Sequence, residues 1–428
     1  MENNTDSSPS EESSMYRNYV LAMLTLVYVF NFVDRQLLVI LQESIKKELS
    51  LSDTQLGLLS GFTFAIFYVT MGIPIAHLAD KGNRKNLVAI SLGIWSMMTA
   101  FSGLVKNYIQ LLMARIGVGI GEAGGSPPAH AMISDYFPPA KRATALSIYS
   151  TGIYIGVSVG FLMGGYLNQQ LGWRTAFFAL GIPGVIFSLL FFLTVKEPRR
   201  GATDVGLSQA IKSQSFGEVF KLLFSKKTFV YLAFATGFNS FCIYGLSNWE
   251  PSFLARMHGM KSSEIGLSLG LIKGVAGGLG TLMGGVLTDY FGKRDKRWHL
   301  KIPAYAIVLA LPTIVGALFF KNTGLSLLCI SMLTFLTGMY IGPSVAVTHS
   351  LVPASMRAFS SAILFFVLNI IGLGFGPLLI GVLSDYLTPT LGTDSLRWAM
   401  TITMIAGVGS ALFFIIASRK IIKDLSQG

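Results

Sequence analysis

Apolar positions along this chain do not alternate with polar ones; they run on. Twelve stretches, near residues 18–41, 54–79, 87–105, 108–133, 142–167, 173–194, 228–254, 264–288, 301–320, 324–350, 357–384 and 396–418, are almost continuously hydrophobic, and charge gathers between them. At 1.5 Å per residue, each predicts an α-helix able to cross a hydrocarbon layer of about 30 Å, the longer ones with tilt. None alternates over about ten residues as a barrel strand does. The predicted fold is therefore all-α and transmembrane, with twelve helices.

Composition agrees with the pattern. Of 428 residues, 52% are hydrophobic and only 13% charged, with a mean hydropathy of +0.59. A soluble chain needs about twice that charged share to cover its surface. Residues 1–15, rich in Ser, Asn and Glu, read as a disordered tail with no basic n-region or cleavage site, so the first helix itself directs insertion. Cys242 and Cys329 both lie in apolar stretches and read as packing residues.

The net charge of +12 is explained by where the cations sit. With both termini inside, 22 of the 33 lysines and arginines fall on the inner side, 3 within helices and 8 outside, which predicts cytoplasmic termini and needs no nucleic-acid partner. The longest polar connection, 196–227, divides the chain into halves at 16–195 and 228–418, with a second tail at 419–428. The halves echo each other. His77 to Lys85 resembles Val286 to Arg294 at an offset of 209, Pro138 and Arg142 match Pro353 and Arg357 at 215, and Gly160 and Gly165 match Gly376 and Gly381 at 216. Two pseudo-symmetric six-helix bundles, related by an axis along the membrane normal, follow from a parallel duplication.

Ionisable residues inside spanning helices are costly unless they face a cavity or a partner. Here they are Asp34 and Arg35, Arg115 and Glu122, and Lys273. Asp34 sits about 22 Å along the first helix from Tyr19, level with Arg115 in the outer half. Arg115 and Glu122, seven residues apart, share one face of the fourth helix. Asp34 is expected to pair with Arg115 while Glu122 looks into the same cavity. Asp34 and Glu122 are the candidate protonation sites, with protons as the coupling ion; Arg35, Arg115 and Lys273 are the candidate partners or headgroup contacts. Burial opposes a carboxylate's charge and a nearby guanidinium favours it, so the proton can follow the wetting of the cavity. A static ion pair fixing two helices is the plainer reading.

A second set suits a conformational latch. Asp80 and Asp289 end helices before basic turns, and such acids can accept from a neighbouring helix N-terminus and pair with arginine across the seam. Arg84, Lys85, Arg142, Arg294 and Arg357 are the candidate partners, and Asp385 is expected to join them. Glycines every four residues at 152, 156, 160 and 164 allow close helix approach. Asn31, Phe62, Tyr68, His130, Tyr149, Phe238, Glu250 and His349 are candidate cavity or gate residues. No histidine has a metal-ligand spacing, no Walker loop is present, and no nucleophile has its base, so neither an enzyme nor an ATP-driven pump is indicated.

The Asp80-Lys-Gly-Asn-Arg-Lys85 loop, its echo at 289–294, the glycine ladder and the six-plus-six layout resemble the major facilitator superfamily. Asn31-Phe-Val-Asp34-Arg35-Gln and Arg115-Ile-Gly-Val-Gly-Ile-Gly-Glu122-Ala resemble its Spinster group, over roughly residues 16–420. That resemblance implies a central cavity open alternately to each side. It implies a proton-linked transporter of a lysolipid, a sphingoid phosphate or a similar amphiphile; the small extramembrane parts point to a bacterial inner membrane, and a functional monomer is expected. Export of drugs or small organic anions, and uncoupled lipid scrambling, are the alternatives. Asn83 departs from the glycine common in that loop, and asparagine tolerates a left-handed turn.

Overall fold

The computed structural model of the chain describes residues 14–201, 216–353 and 356–426. Expectations for residues 1–13, for 202–215 of the linker and for the Asp80 carboxylate lie outside the described residues. Among the described residues, eight helical stretches are long and apolar enough to cross a membrane. Two of them are too long for a single crossing. Pro139–Thr194 has 56 residues, about 84 Å of helix; Gly172, at φ 80° and ψ 163°, parts it into α5 (139–171) and α6 (173–194). That backbone geometry is open to glycine and strained for other residues. The last stretch parts at Gly392, whose φ is 56°.

Besides a short helix in the linker, Phe216–Ser225, the remaining long helices follow from their caps and breaks. They are α1 (Ser14–Leu49), α2 (53–81), α3 (Arg84–Ser102), α4 (108–136), α7 (Lys227–His258), α8 (Ser262–Gly292), α9 (Trp298–Phe319), α10 (Thr323–Ser350), α11 (357–391) and α12 (395–426). Ser52 starts α2 with a capping box completed by Gln55, and Asn107 and Asn322 cap α4 and α10. Asn83 does the same for α3, accepting from the Asn86 N–H at 2.8 Å with an extended backbone at φ −81°. Asparagine stands there as a cap, and no left-handed turn is needed.

Helices α2, α8 and α11 each contain one π-helical turn, at Leu58–Phe62, Ile272–Ala276 and Asn369–Gly374. An extra residue in a turn rotates the rest of the helix about its axis and is frequent at functional positions.

Three apolar cores hold the molecule. One belongs to the N-terminal half, built from Leu24, Trp95, Met132 and Phe191; another to the C-terminal half, built from Phe229, Leu300, Leu364 and Phe414. The largest runs through both halves, joining Leu41, Leu56 and Phe161 to Trp249, Phe253, Ile265 and Ile380. It lies at the ends of α1, α5 and α7 remote from the linker, called here the far end. The halves thus share the largest core at the far end; toward the linker end each has its own, with Leu373 and Tyr244 of the C-terminal half reaching the N-terminal one.

Candidate functional site

Between the halves lies a cavity of about 640 Å³. Its lining includes Arg35 and Arg115 from one half and Glu250 and Lys273 from the other, and extends to His130, about 9 Å from the linker end of α4. Most of the wall is apolar or aromatic, with Tyr28, Phe32, Phe64, Tyr68 and Tyr244 on the linker side of Arg35 or beside it.

Arg35 is the hub. Its Nε donates to Glu122 Oε2 at 2.7 Å. Its guanidinium also stands 5.0, 4.9 and 4.9 Å from the ring centres of Phe32, Phe64 and Tyr68, an aromatic cage that attracts a desolvated cation. Arg115 also stands over the Phe64 ring, at 5.4 Å. Glu122 and Asp34 are buried to about 1% exposure and stand behind this layer. Glu122 Oε1, Arg115 Nε and both oxygens of Asp34 make no well-formed hydrogen bond, the Thr99 hydroxyl being the polar neighbour of Asp34.

The expected pairing is therefore corrected in two respects. Arg35, and not Arg115, ion-pairs here, and it pairs with Glu122; Asp34 makes no ion pair with Arg115, though the three groups are close enough to feel one another's charge. Glu122 does not line the cavity directly, because Arg35 is interposed. The reason is angular: neighbouring residues on a helix point about 100° apart, so Arg35 turns to the cavity and α4 while Asp34 turns into the bundle.

In the opposite wall Lys273 Nζ lies 2.7 Å from Glu250 Oε2 and 3.3 Å from Thr334 Oγ1. Of the other candidates, Tyr68 and His130 line the cavity. Tyr149 is buried behind it, stacked on Tyr28 at 4.4 Å, with His130 edge-on to its ring at 5.2 Å. Asn31 is buried near Glu122. Phe62 meets Phe375 across the seam at 5.5 Å. Phe238 packs on Phe413 instead, and His349 bonds Ser361 Oγ at 2.6 Å.

The latch candidates separate by end. Arg84 is buried and holds Asp135 at 2.5 Å and Glu197 at 2.9 Å, and the Lys85 N–H donates to Glu197 at 2.7 Å. These bonds tie the start of the linker to its own half and do not cross the seam. Arg142 donates to the Phe137 carbonyl at 3.4 Å. Asp289, Arg294 and Arg357 are exposed.

Asp385 keeps the expected part, accepting from a helix N-terminus across the seam, and only its place is corrected. It sits at the far end, where its carboxylate accepts from the N–H groups of Asp53 (3.0 Å) and Thr54 (2.7 Å) at the start of α2. Around it sequence reasoning missed a whole cluster. Arg256 holds Glu43 at 2.6 Å and Asp53 at 2.7 Å; Lys46 and Ser384 also bind Asp53; and Gln42 donates to the Asn248 carbonyl and Ser252 Oγ. Gln42 was readable, seven residues beyond Arg35 on one face of α1. Close backbone packing reinforces the seal, since a Cβ at Gly57 would stand 2.6 Å from the Pro377 carbonyl oxygen.

The family model of the Major Facilitator Superfamily matches residues 24–377. A Mycolicibacterium smegmatis protein named an MFS-type efflux pump is 36% identical over 401 residues, 93% of this chain and 92% of its own. Protein spinster homolog 1 of Xenopus laevis is 25% identical over 435 residues, 96% of this chain and 82% of its own. A bacterial homologue of the human lysosomal transporter Spinster, crystallised inward-facing and unoccupied, shares 32% identity. Its TM-score is 0.89, covering 96% of this chain and 99% of that one.

Proposed function

The chain belongs to the major facilitator superfamily, close to the bacterial homologues of Spinster, and we propose that it couples the movement of a single-chain anionic amphiphile to protons. Lysolipids and sphingoid phosphates are the substrate class meant. Twelve crossings in two six-helix bundles, cytoplasmic termini, a bacterial inner membrane and a functional monomer complete the proposal. With the linker end cytoplasmic, as its lysines and arginines favour, the state described is inward-facing: sealed outside, open inside.

The observation that carries this reading is the Arg35–Glu122 ion pair at the cavity wall with Asp34, without a well-formed hydrogen bond, behind it. A buried carboxylate so poorly partnered is costly as an anion, so a proton or a cation must attend it in each state. An anionic headgroup arriving at Arg35 competes with Glu122, and a proton on Glu122 releases the guanidinium to that headgroup. Water reaching Asp34 in one state and not in the other gives the proton its direction. The aromatic wall suits an alkyl tail, and a lipid-like substrate is what the Spinster-like motifs at Asp34–Arg35 and Arg115–Glu122 imply.

The test uses purified protein in liposomes with an imposed pH gradient and a panel of lysolipids, alkyl phosphates and drugs. Gradient-driven accumulation is expected for the wild type, and its loss in both Asp34→Asn and Glu122→Gln with exchange retained. Full gradient-driven transport by both variants would sink the coupling scheme. Export of hydrophobic drugs is the second reading, favoured by the relative named as an efflux pump; drug transport that no lysolipid inhibits would favour it.

A further inference from the structure

The Glu250–Lys273 pair is not used by the coupling scheme, yet it occupies the cavity wall contributed by the C-terminal half. We propose that Lys273 is the anion-recognition group of this wall, and that Glu250 is a built-in counter-ion which holds the ammonium until a ligand's anionic headgroup replaces it. The inference rests on the cavity being the substrate site and not on proton coupling.

Three observations carry it. The first is order of approach: the Glu250 side chain is 3% exposed and that of Lys273 12%. Glu250 backs onto Phe253, Ile314 and Leu318 at the sealed end, so a ligand entering from the linker end meets the ammonium before the carboxylate. The second is unused valence. An ammonium has three protons to donate; the ion pair with Glu250 occupies one side of it, and Thr334 Oγ1, at 3.3 Å, takes a proton weakly. The third is backbone geometry. Lys273 stands in the π turn Ile272–Ala276, none of whose residues is buried, between two ordinary helical segments. A π turn widens the local pitch and re-aims the side chain it carries. A lysine kept only as a static strut would not need to stand partly exposed on the cavity wall.

Glu250 thereby acts as a positioning residue. It prevents an unpaired cation in the empty cavity, which would be expensive, and it sets a threshold: only a headgroup that binds the ammonium better than a fixed carboxylate displaces it. Phosphate-type groups, with more negative charge and three acceptor oxygens, meet that condition; neutral and cationic heads do not.

Binding is measured with the full chain in lipid nanodiscs, without a pH gradient, using dodecyl phosphate, dodecyltrimethylammonium and inorganic phosphate as probes. Lys273→Met is expected to weaken dodecyl phosphate by about tenfold or more, the loss of a charge-assisted bond, and to leave dodecyltrimethylammonium unweakened. Lys273→Arg retains most of the affinity. Glu250→Gln tightens dodecyl phosphate, since the internal competitor is gone. Competition by inorganic phosphate in the wild type alone assigns recognition to the free anion; its absence, with the Lys273→Met loss intact, assigns it to the lipid headgroup with its tail.

Dodecyl phosphate binding that is absent from the wild type, unchanged in Lys273→Met, or weakened in Glu250→Gln overturns the inference. The last criterion stands even where Lys273→Met fails to fold. Loss of proton coupling in liposomes does not alter these binding results, so the two readings fail separately.

Discussion

At the residue scale, the site depends on Arg35 being held by unlike partners at once. An ion pair with Glu122 fixes one edge of the guanidinium, and three aromatic rings fix its faces. Lysine reproduces the charge but neither the planar fork nor the stacking. Arg35→Lys is therefore expected to fold and to transport about tenfold more slowly, from loss of contacts worth about 0.5–2 kcal/mol each. Adding Glu122→Gln to Arg35→Lys should slow transport much less than Glu122→Gln does alone, because residues acting as one unit are not additive. Initial rates of the two single variants and the double variant check this. Additive losses would mean that the pair is only a strut.

At the element scale, the far-end seal is made of backbone as much as of charge. Gly165 on α5 faces Ser262 and Gly266 at the start of α8, and a Cβ there would run into the Ser262 carbonyl. On the other seam Gly381 of α11 lies against the Asp53 backbone. Gly165→Val is expected to disfavour the sealed state by at least about 1–3 kcal/mol, the cost of overpacking, while the other state, with α5 and α8 apart, tolerates the side chain. Raised labelling of a cysteine introduced at Asn168, buried at the same seam against Ser44 and Ser262, would report the opening. Unchanged labelling with normal stability would show that the helices have room to spare.

Legibility from sequence also divides at this scale. Long apolar runs give helix positions, because lipid punishes every polar interruption. The depth of Asp34, Arg35, Arg115 and Glu122 comes from the rise per residue alone. Rotation does not: nothing in the spacing says which of two adjacent residues, Asp34 or Arg35, faces α4. Asp385 is a different failure. Helix α11 starts at Arg357 near the linker end and runs away from it, so parity alone puts Asp385 at the far end. Its likeness to the acids ending α2 and α8 points the other way, and parity is the stronger argument. Arg256 and Asp53 escape a sequence reading because charges at helix ends look like ordinary boundary residues until two halves are brought together.

At the scale of the whole molecule, the two ends are held by different means, and that difference sets the resting state. At the linker end Arg84 spends its charge on Asp135 and Glu197 within one half. At the far end Arg256 of one half grips Glu43 and Asp53 of the other, and Asp385 caps the first turn of α2 across the seam. A carboxylate at a helix N-terminus contributes up to about 2 kcal/mol in a partly buried setting. Breaking a partly exposed charged hydrogen-bond network costs about 1.5–3 kcal/mol. Both exist only while the far end is shut. Arg256→Met should therefore move the balance toward a state open at the far end by roughly tenfold or more, and Asp385→Asn, which keeps the shape but loses the charge, by less. Spin labels at Lys47 and Thr390, both exposed and in opposite halves, would report a longer distance population in the order Arg256→Met, Asp385→Asn, wild type. The labels need the two native cysteines replaced, and Cys242 lines the cavity, so the replaced background must first be matched to wild type in transport. Identical distances in all three proteins would leave the seal to apolar packing alone, since the shared far-end core is unaltered by either substitution.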